Sequence, residues 1–138
     1  MKVERLDHLV LAVQDLAPAL EAWQRTLDLP AAPPVHPTGT HMELAFLRPA
    51  GDDPAAAFLE LVRATTAGHR VARHVAEVGE GMFSLSLQVD DLDAAVRELR
   101  AKGVVVSDSE PGVLPDTRVA RIPRASAHGV AVQLIERQ

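Results

Sequence analysis

Cysteine is absent from the 138 residues, which excludes disulfides and thiolate metal sites and fits a reducing, cytoplasmic setting. Aromatic side chains are scarce as well. There is no tyrosine, one tryptophan and three phenylalanines, too few for a base-stacking platform. No apolar run is long enough to cross a bilayer, and the opening MKVERLDHLV enters a strand without the basic-then-apolar layout of a signal peptide. Positive charge is in deficit: 14 Lys and Arg against 19 Asp and Glu leave a formal charge of −5. No stretch gathers the basic residues as a nucleic-acid surface requires. Neither nucleic acid nor membrane is therefore an expected partner. With 47% of residues hydrophobic, the chain has enough apolar content for a packed core at a length suited to one domain or two small modules. A small-molecule ligand is the expected partner.

What the chain does have is a copy of part of itself. Residues 6–20, LDHLVLAVQDLAPAL, align without a gap with residues 82–96, MFSLSLQVDDLDAAV. Leu9, Leu11, Val13, Asp15, Leu16 and Ala19 match Leu85, Leu87, Val89, Asp91, Leu92 and Ala95. Each copy reads as an alternating strand leading into an Asp-capped helix, so each residue can be judged against its twin. In that comparison His8 is matched by Ser84.

Period-two alternation over residues 5–13 sets Leu9, Leu11 and Val13 on one face and His8, Val10 and Ala12 on the other. Asp15 is the expected N-cap of the following helix, and Pro18 sits in its first turn, where a missing N–H costs little. Leu16, Leu20, Trp23 and Leu27 form its apolar stripe. Residues 30–39 read as turn, 41–48 and 56–63 as strands. Residues 69–78 read as a connecting helix carrying Val71, Val75 and Val78, closed by Gly79-Glu80-Gly81. The second copy supplies a strand over 82–89, a helix over 91–102 ended by Gly103, and strands near 104–107, 117–122 and 129–136. The expected organisation is a first module over residues 1–66, a connector over 67–81 and a second module over 82–138, within one compact domain.

The LDHLVLAVQDL opening, the FLELV strand and the closing HGVAVQLIE strand resemble the vicinal oxygen chelate (glyoxalase/bleomycin-resistance/dioxygenase) superfamily over nearly the whole chain. The stretch from the connector into the second copy, GHRVARHVAEVGEGMFSLSLQVDDLDAAVRELRAKGV, is similar to the methylmalonyl-CoA epimerase branch. The resemblance implies an α+β fold of two βαβββ modules whose sheets form a partial barrel around a pocket. It also implies a divalent metal held by the first and last strands of each module, no organic cofactor, and a homodimer.

The resemblance maps the family's four ligand positions onto His8, Glu60, Ser84 and Gln133. Strand parity agrees. With Leu59 and Leu61 on the helix side, Phe58, Glu60 and Val62 lie opposite, and Val132 and Leu134 leave Ala131, Gln133 and Ile135 in the same way. The first strands contribute His8 and Val10 in one copy, and Ser84, Ser86 and Gln88 in the other. His8, Glu60 and Gln133 are the candidate metal ligands, because imidazole nitrogen and carboxylate or amide oxygen suit a borderline or hard divalent ion. Ser84, Ser86 and Phe58 are candidate substrate contacts. Arg118 is a further one, since an inward arginine holds a carboxylate or phosphate bidentately. Arg118 and Arg121 have opposite parity, so at most one faces inward.

Ser84 stands where the family carries a histidine and Gln133 where it carries a glutamate. A serine hydroxyl is a poor ligand, and an amide carries no charge and accepts no proton at neutral pH. Epimerisation beside a thioester carbonyl needs two proton carriers and an electrophile that stabilises the enolate. The resemblance would place one carrier at Gln133 and the other near Gly39 or Thr40, none of which serves. Glu43 is the nearest substitute, and Glu60 is the one carboxylate of the ligand set. Two functions are therefore expected: divalent-metal-assisted lyase or isomerase chemistry on a small acyl or α-oxo substrate, or metal-independent sequestration of a small molecule, as in the antibiotic-binding members of the superfamily.

Overall fold

A computed structural model describes every residue of the chain except Ala31; that residue, within the expected turn over 30–39, lies outside the described residues. The fold is α+β. Among the described residues it has seven strands and three α-helices, in two structural units. One unit comprises His8–Phe83; the other comprises Met1–Asp7 together with Ser84–Gln138. The first strand, β1 (Val3–Ala12), is divided between them, and so is the strand Gly81–Val89, whose first three residues belong to the His8–Phe83 unit.

In the His8–Phe83 unit, β1 is followed by α1 (Leu16–Leu27), β2 (Met42–Leu47), β3 (Phe58–Ala64) and α2 (Arg70–Glu77). The strands lie in the order β2-β3-β1, with β1 parallel to β3 and β2 antiparallel to it. An isolated bridge between Val35 and Leu44 adds a fragment of a further strand. The parity of β1 sorts its residues as expected. Leu11 and Val13 pack with Ala45, Leu47 and Leu61 beneath Leu16, Leu20 and Trp23 of α1. Val10 and Ala12 pack on the opposite face with Met42, Leu44, Val62 and Val71 of α2. Leu27, expected in the stripe of α1, is 51% exposed; the chain leaves the helix at Asp28 in a left-handed conformation, and Leu29 joins the core instead. His69 caps α2, its side chain accepting from the Val71 N–H at 3.1 Å.

The other unit places β4 (Gly81–Val89), β7 (Val132–Arg137), β6 (Thr117–Ile122) and β5 (Glu110–Pro111) in that order. β4 and β7 are parallel, whereas β6 is antiparallel to β7 and β5 to β6. The helix α3 (Leu92–Ala101) buries Leu92, Ala95, Val96 and Leu99 against Val89, Ala120 and Leu134. Spacings of three and four put these residues on one stripe. Gly103 takes φ +78° at the end of α3, where its N–H donates to the Arg100 carbonyl; a side chain would strain that conformation.

The expected strand near 104–107 is not formed. Val106 is buried against α3, and the segment is tied to β6 at Ser107, whose N–H donates to the Arg121 carbonyl and whose Oγ accepts from the Arg121 N–H, each at 2.9 Å. The pairing falls later, at Glu110 and Pro111. The run of valines met the propensity for a strand, but anchoring one of them under the helix took precedence over ladder pairing.

Candidate functional site

The registers of the two parallel strand pairs repeat one another. In the first unit Val10 stands beside Glu60 and His8 beside Phe58. In the second, Ser86, the twin of Val10, stands beside Gln133. Glu60 and Gln133 thus hold equivalent places on their own sheets, each on the face turned away from its own α1 or α3. The duplication in the sequence is a duplication of register.

In the first unit that face carries a row of buried groups. His8 is 2% exposed, Phe58 4% and Glu60 8%. The His8 imidazole stacks on Phe58 with centroids 4.8 Å apart and planes inclined by 12°. Phe46 meets Phe58 edge-on at 5.8 Å. Because Phe46 pairs with Glu60 across β2 and β3, the carboxylate sits between Phe46 and Val10, one row along from the His8–Phe58 stack.

Two further candidate residues, Glu43 and Arg118, lie on the helix-facing sides of their sheets. Glu43 pairs across the strands with Arg63, so parity turns it to the α1 face, opposite His8 and Glu60. There Arg63 donates to its carboxylate at 3.2 Å and His36 lies 3.9 Å away. β2 is apolar on both faces, Met42, Leu44 and Phe46 on one and Ala45 and Leu47 on the other, so its sequence pattern does not say which way a polar residue points. Arg118 likewise shares the parity of Ala120, which packs on α3. It donates to Asp93 of α3 at 2.8 and 3.1 Å and to Ser109 at 2.8 Å. That pairing holds the Asp93 carboxyl below the ordinary carboxylate range. Arg121, of opposite parity, pairs with Gln133 across β6 and β7 and makes an ion pair with Glu110.

In the second unit the positions equivalent to Val10 and Glu60 are held by uncharged polar residues, Ser86 and Gln133. Ser86 is fully buried, and the Gln133 Nε2 donates to its Oγ at 3.0 Å. This bond fixes the amide orientation and leaves the Gln133 Oε1 as the atom with acceptor capacity to spare. Ser84 is half-buried and shares the parity of Ser86.

Parity would put Phe83 on the helix-facing row of β4, yet it packs with the Val10–Val62–Val71 cluster and meets His74 edge-on at 5.1 Å. It packs with the connector helix α2, from which the strand emerges, rather than with α3.

A resident divalent ion places a stricter demand on these side chains. Among the described residues no three His, Cys, Asp or Glu side chains gather as a metal site would require. His8 and Glu60 are the only such groups in the candidate set. The equivalent positions of the second unit hold only the uncharged Gln133 amide and the weak Ser84 hydroxyl. This donor set falls short of a resident site, which keeps at least three effective protein ligands.

A shallow apolar groove runs along Ala22, Trp23, Thr26 and Leu27 of α1, with Trp23 packed on the far side of the sheet from His8. No described helix is long and apolar enough to cross a membrane.

Comparison with known proteins gives a consistent picture. The family model described as Glyoxalase/Bleomycin resistance protein/Dioxygenase superfamily matches residues 7–120. No curated protein matches the chain. Among solved structures, methylmalonyl-CoA epimerase from Mycobacterium tuberculosis is 28% identical, with a TM-score of 0.85 over 99% of this chain and 89% of that one. A variant of the Streptomyces coelicolor methylmalonyl-CoA epimerase, in complex with 2-nitronate-propionyl-CoA, is 25% identical with a TM-score of 0.87 over 99% of each chain. A hypothetical protein from Bacillus halodurans, 22% identical with a TM-score of 0.85, shares the fold over 97% of this chain and 94% of its own.

Proposed function

Because the chain belongs to the glyoxalase/bleomycin resistance protein/dioxygenase superfamily, we propose that it binds a small acyl or α-oxo compound without a resident metal. The residues that would contact the ligand are His8, Phe58 and Glu60 of the first unit; Ser84, Ser86 and Gln133 hold the equivalent positions of the second. The observation that carries this reading is the register equivalence of Glu60 and Gln133 combined with the chemistry found there. Equivalent positions that could serve as ligands hold one carboxylate, one imidazole, an amide and a hydroxyl. Such a set is poor for a divalent ion and well suited to hydrogen-bonding carbonyl and hydroxyl oxygens.

Epimerisation by two opposed carriers is not part of the proposal. Gln133 accepts no proton, and Glu43 lies on the α1 face in a pair with Arg63. Glu60 is then the only carboxylate of the candidate set on its face, and one base moves a proton without returning it from the other side. By analogy with the family the protein is expected to be a homodimer.

The test is metal analysis of protein purified without chelators, followed by thermal denaturation against a panel of acyl-CoA thioesters and 2-oxo acids. The expected result is substoichiometric metal and a saturable rise in melting temperature, roughly 5–10 °C at one hundred times Kd. A stoichiometric divalent ion that is lost in His8→Ala would overturn the reading in favour of metal-assisted lyase or isomerase chemistry, with His8, Glu60 and Gln133 as ligands. No shift with any member of the panel would overturn ligand binding itself.

A further inference from the structure

Arg48 comes directly after β2 and continues its register. Phe46 pairs with Glu60 and Leu47 with Leu59, so the next position along, Arg48, comes level with Phe58. Phe58 in turn stands beside His8. Three strands therefore present one transverse row of Arg48, Phe58 and His8 on the face turned away from α1.

The side chains in that row are stacked. The Arg48 guanidinium carbon lies 4.2 Å from the centroid of Phe58 and 6.0 Å from that of Phe46, and the other neighbour of Phe58 is the His8 ring, nearly parallel to it. Several arginines of this chain are satisfied by carboxylates: Arg63 by Glu43, Arg118 by Asp93, Arg137 by Asp7. Arg48 differs. Among the described residues its guanidinium makes ring contacts and no hydrogen bond or ion pair, and the residue is exposed. This occurs in a chain with five more acidic than basic side chains.

A guanidinium lying flat on a ring satisfies its face and leaves its edge. All five N–H bonds lie in the plane of the group, so stacking on Phe58 commits none of them. It also fixes the orientation of a side chain that would otherwise lose rotamer freedom on binding. What such an edge recognises is a planar or bidentate oxyanion. Successive side chains on one face of a strand are about 7 Å apart, so Glu60, one row from Phe58, stands at about the distance of a short acyl chain from the cation.

We propose that Arg48 anchors a carboxylate on the ligand, so that the compound bound on the His8 face is a short carboxylic acid with its carbonyl or acyl group directed toward His8 and Glu60. This rests on the proposed binding function and narrows its ligand class. Carboxylate and phosphate share the geometry a guanidinium edge recognises, and the choice of probes separates them.

The experiment measures binding of 2-oxobutyrate, 2-oxobutyramide and inorganic phosphate by isothermal titration calorimetry to wild type, Arg48→Gln and Arg48→Lys. Wild type is expected to prefer the acid over the amide by tenfold or more. Arg48→Gln should abolish that preference by lowering acid affinity far more than amide affinity, while Arg48→Lys retains part of it because charge survives without the bidentate edge. Raising salt on wild type should weaken the acid and not the amide, a readout that needs no variant to fold. Equal affinity for acid and amide, or an Arg48→Gln protein that binds the acid as wild type does, would overturn the anchor while leaving the proposed function intact. Phosphate competing with 2-oxobutyrate at equal concentration would overturn the assignment to a carboxylate. Absence of binding by acid and amide alike would overturn both the anchor and the function beneath it.

Discussion

Asp7 is 1% exposed and accepts two parallel bonds at 2.8 Å from the Nε and Nη2 of Arg137, with Arg5 3.4 Å away. The carboxylate raises the pKa of the Arg137 guanidinium above its ordinary value. A buried carboxylate depends on such bonds, and a hydrogen bond to a charged group contributes about 1.5–3 kcal/mol. Arg137→Ala is therefore expected to lose on the order of 2–3 kcal/mol of stability, and Arg137→Lys to recover less than half, because a point charge replaces a two-toothed fit. Urea denaturation of the two variants measures both. Neither Asp7 nor Arg137 stands out in the sequence, where each reads as a surface charge on a strand; a bidentate pair 130 positions apart is visible only when the fold closes. His8, Phe58 and Glu60 were legible for the opposite reason. They interrupt strands whose remaining residues sort by parity, so the odd polar group announces its face. Glu43 and Arg118 sit on strands without that contrast, and their faces were open until the register was known.

At the scale of the element, the two copies of the strand-to-helix junction have diverged in how they are held. Asp91 caps α3 by accepting from the Ala94 N–H at 2.8 Å. Asp15, its twin, has the extended backbone of an N-cap but makes no capping bond with its side chain. The first junction is tied differently: the Gln14 N–H donates to the Glu80 carboxylate at 2.9 Å. Glu80 belongs to the Gly-Glu-Gly turn, so the connector braces the entry to α1. Asp91→Ala should then cost about 1 kcal/mol, Asp15→Ala markedly less, and Glu80→Ala more than Asp15→Ala. Comparing denaturant midpoints of the three variants decides the order. An Asp15→Ala protein as destabilised as Asp91→Ala would show the twins still equivalent. Repeat logic located both helices correctly here and misjudged only the cap, because identical residues at identical positions do not ensure identical hydrogen bonds.

Over the whole molecule, the groups with perturbed titration divide between the units. In the second unit Asp90, Asp93 and Glu98 are all held below their ordinary values, Asp90 by the Lys2 backbone N–H, Asp93 by Arg118, and Glu98, at about 2, by Lys102. A carboxylate lowered on folding contributes stability that is complete above its ordinary pKa. That contribution is lost as pH falls through the folded value, since the unfolded chain takes up the proton first. For these groups the window opens below about pH 4.5, the ordinary value of the highest of them. In the first unit His69 is lowered, chiefly by burial and then by Arg70. The unfolded histidine takes up its proton near pH 6.5 while the folded one resists, so stability declines from about that pH until the lowered value is passed. Protonation has a local consequence: the Nδ1 that accepts from Val71 to cap α2 ceases to be an acceptor. Acidification should therefore weaken the first unit before the second. Hydrogen exchange measured by mass spectrometry, corrected for intrinsic rates, is expected to show loss of protection at Val71–Ala72 as the pH falls below about 6.5. Protection in α3 should persist until below about pH 4.5. His69→Asn, which keeps a capping acceptor without the titration, should remove the first step and leave the second in place. Loss of protection in both helices within a single window would show instead that the two units unfold as one and that local carboxylate and histidine contacts do not set the order.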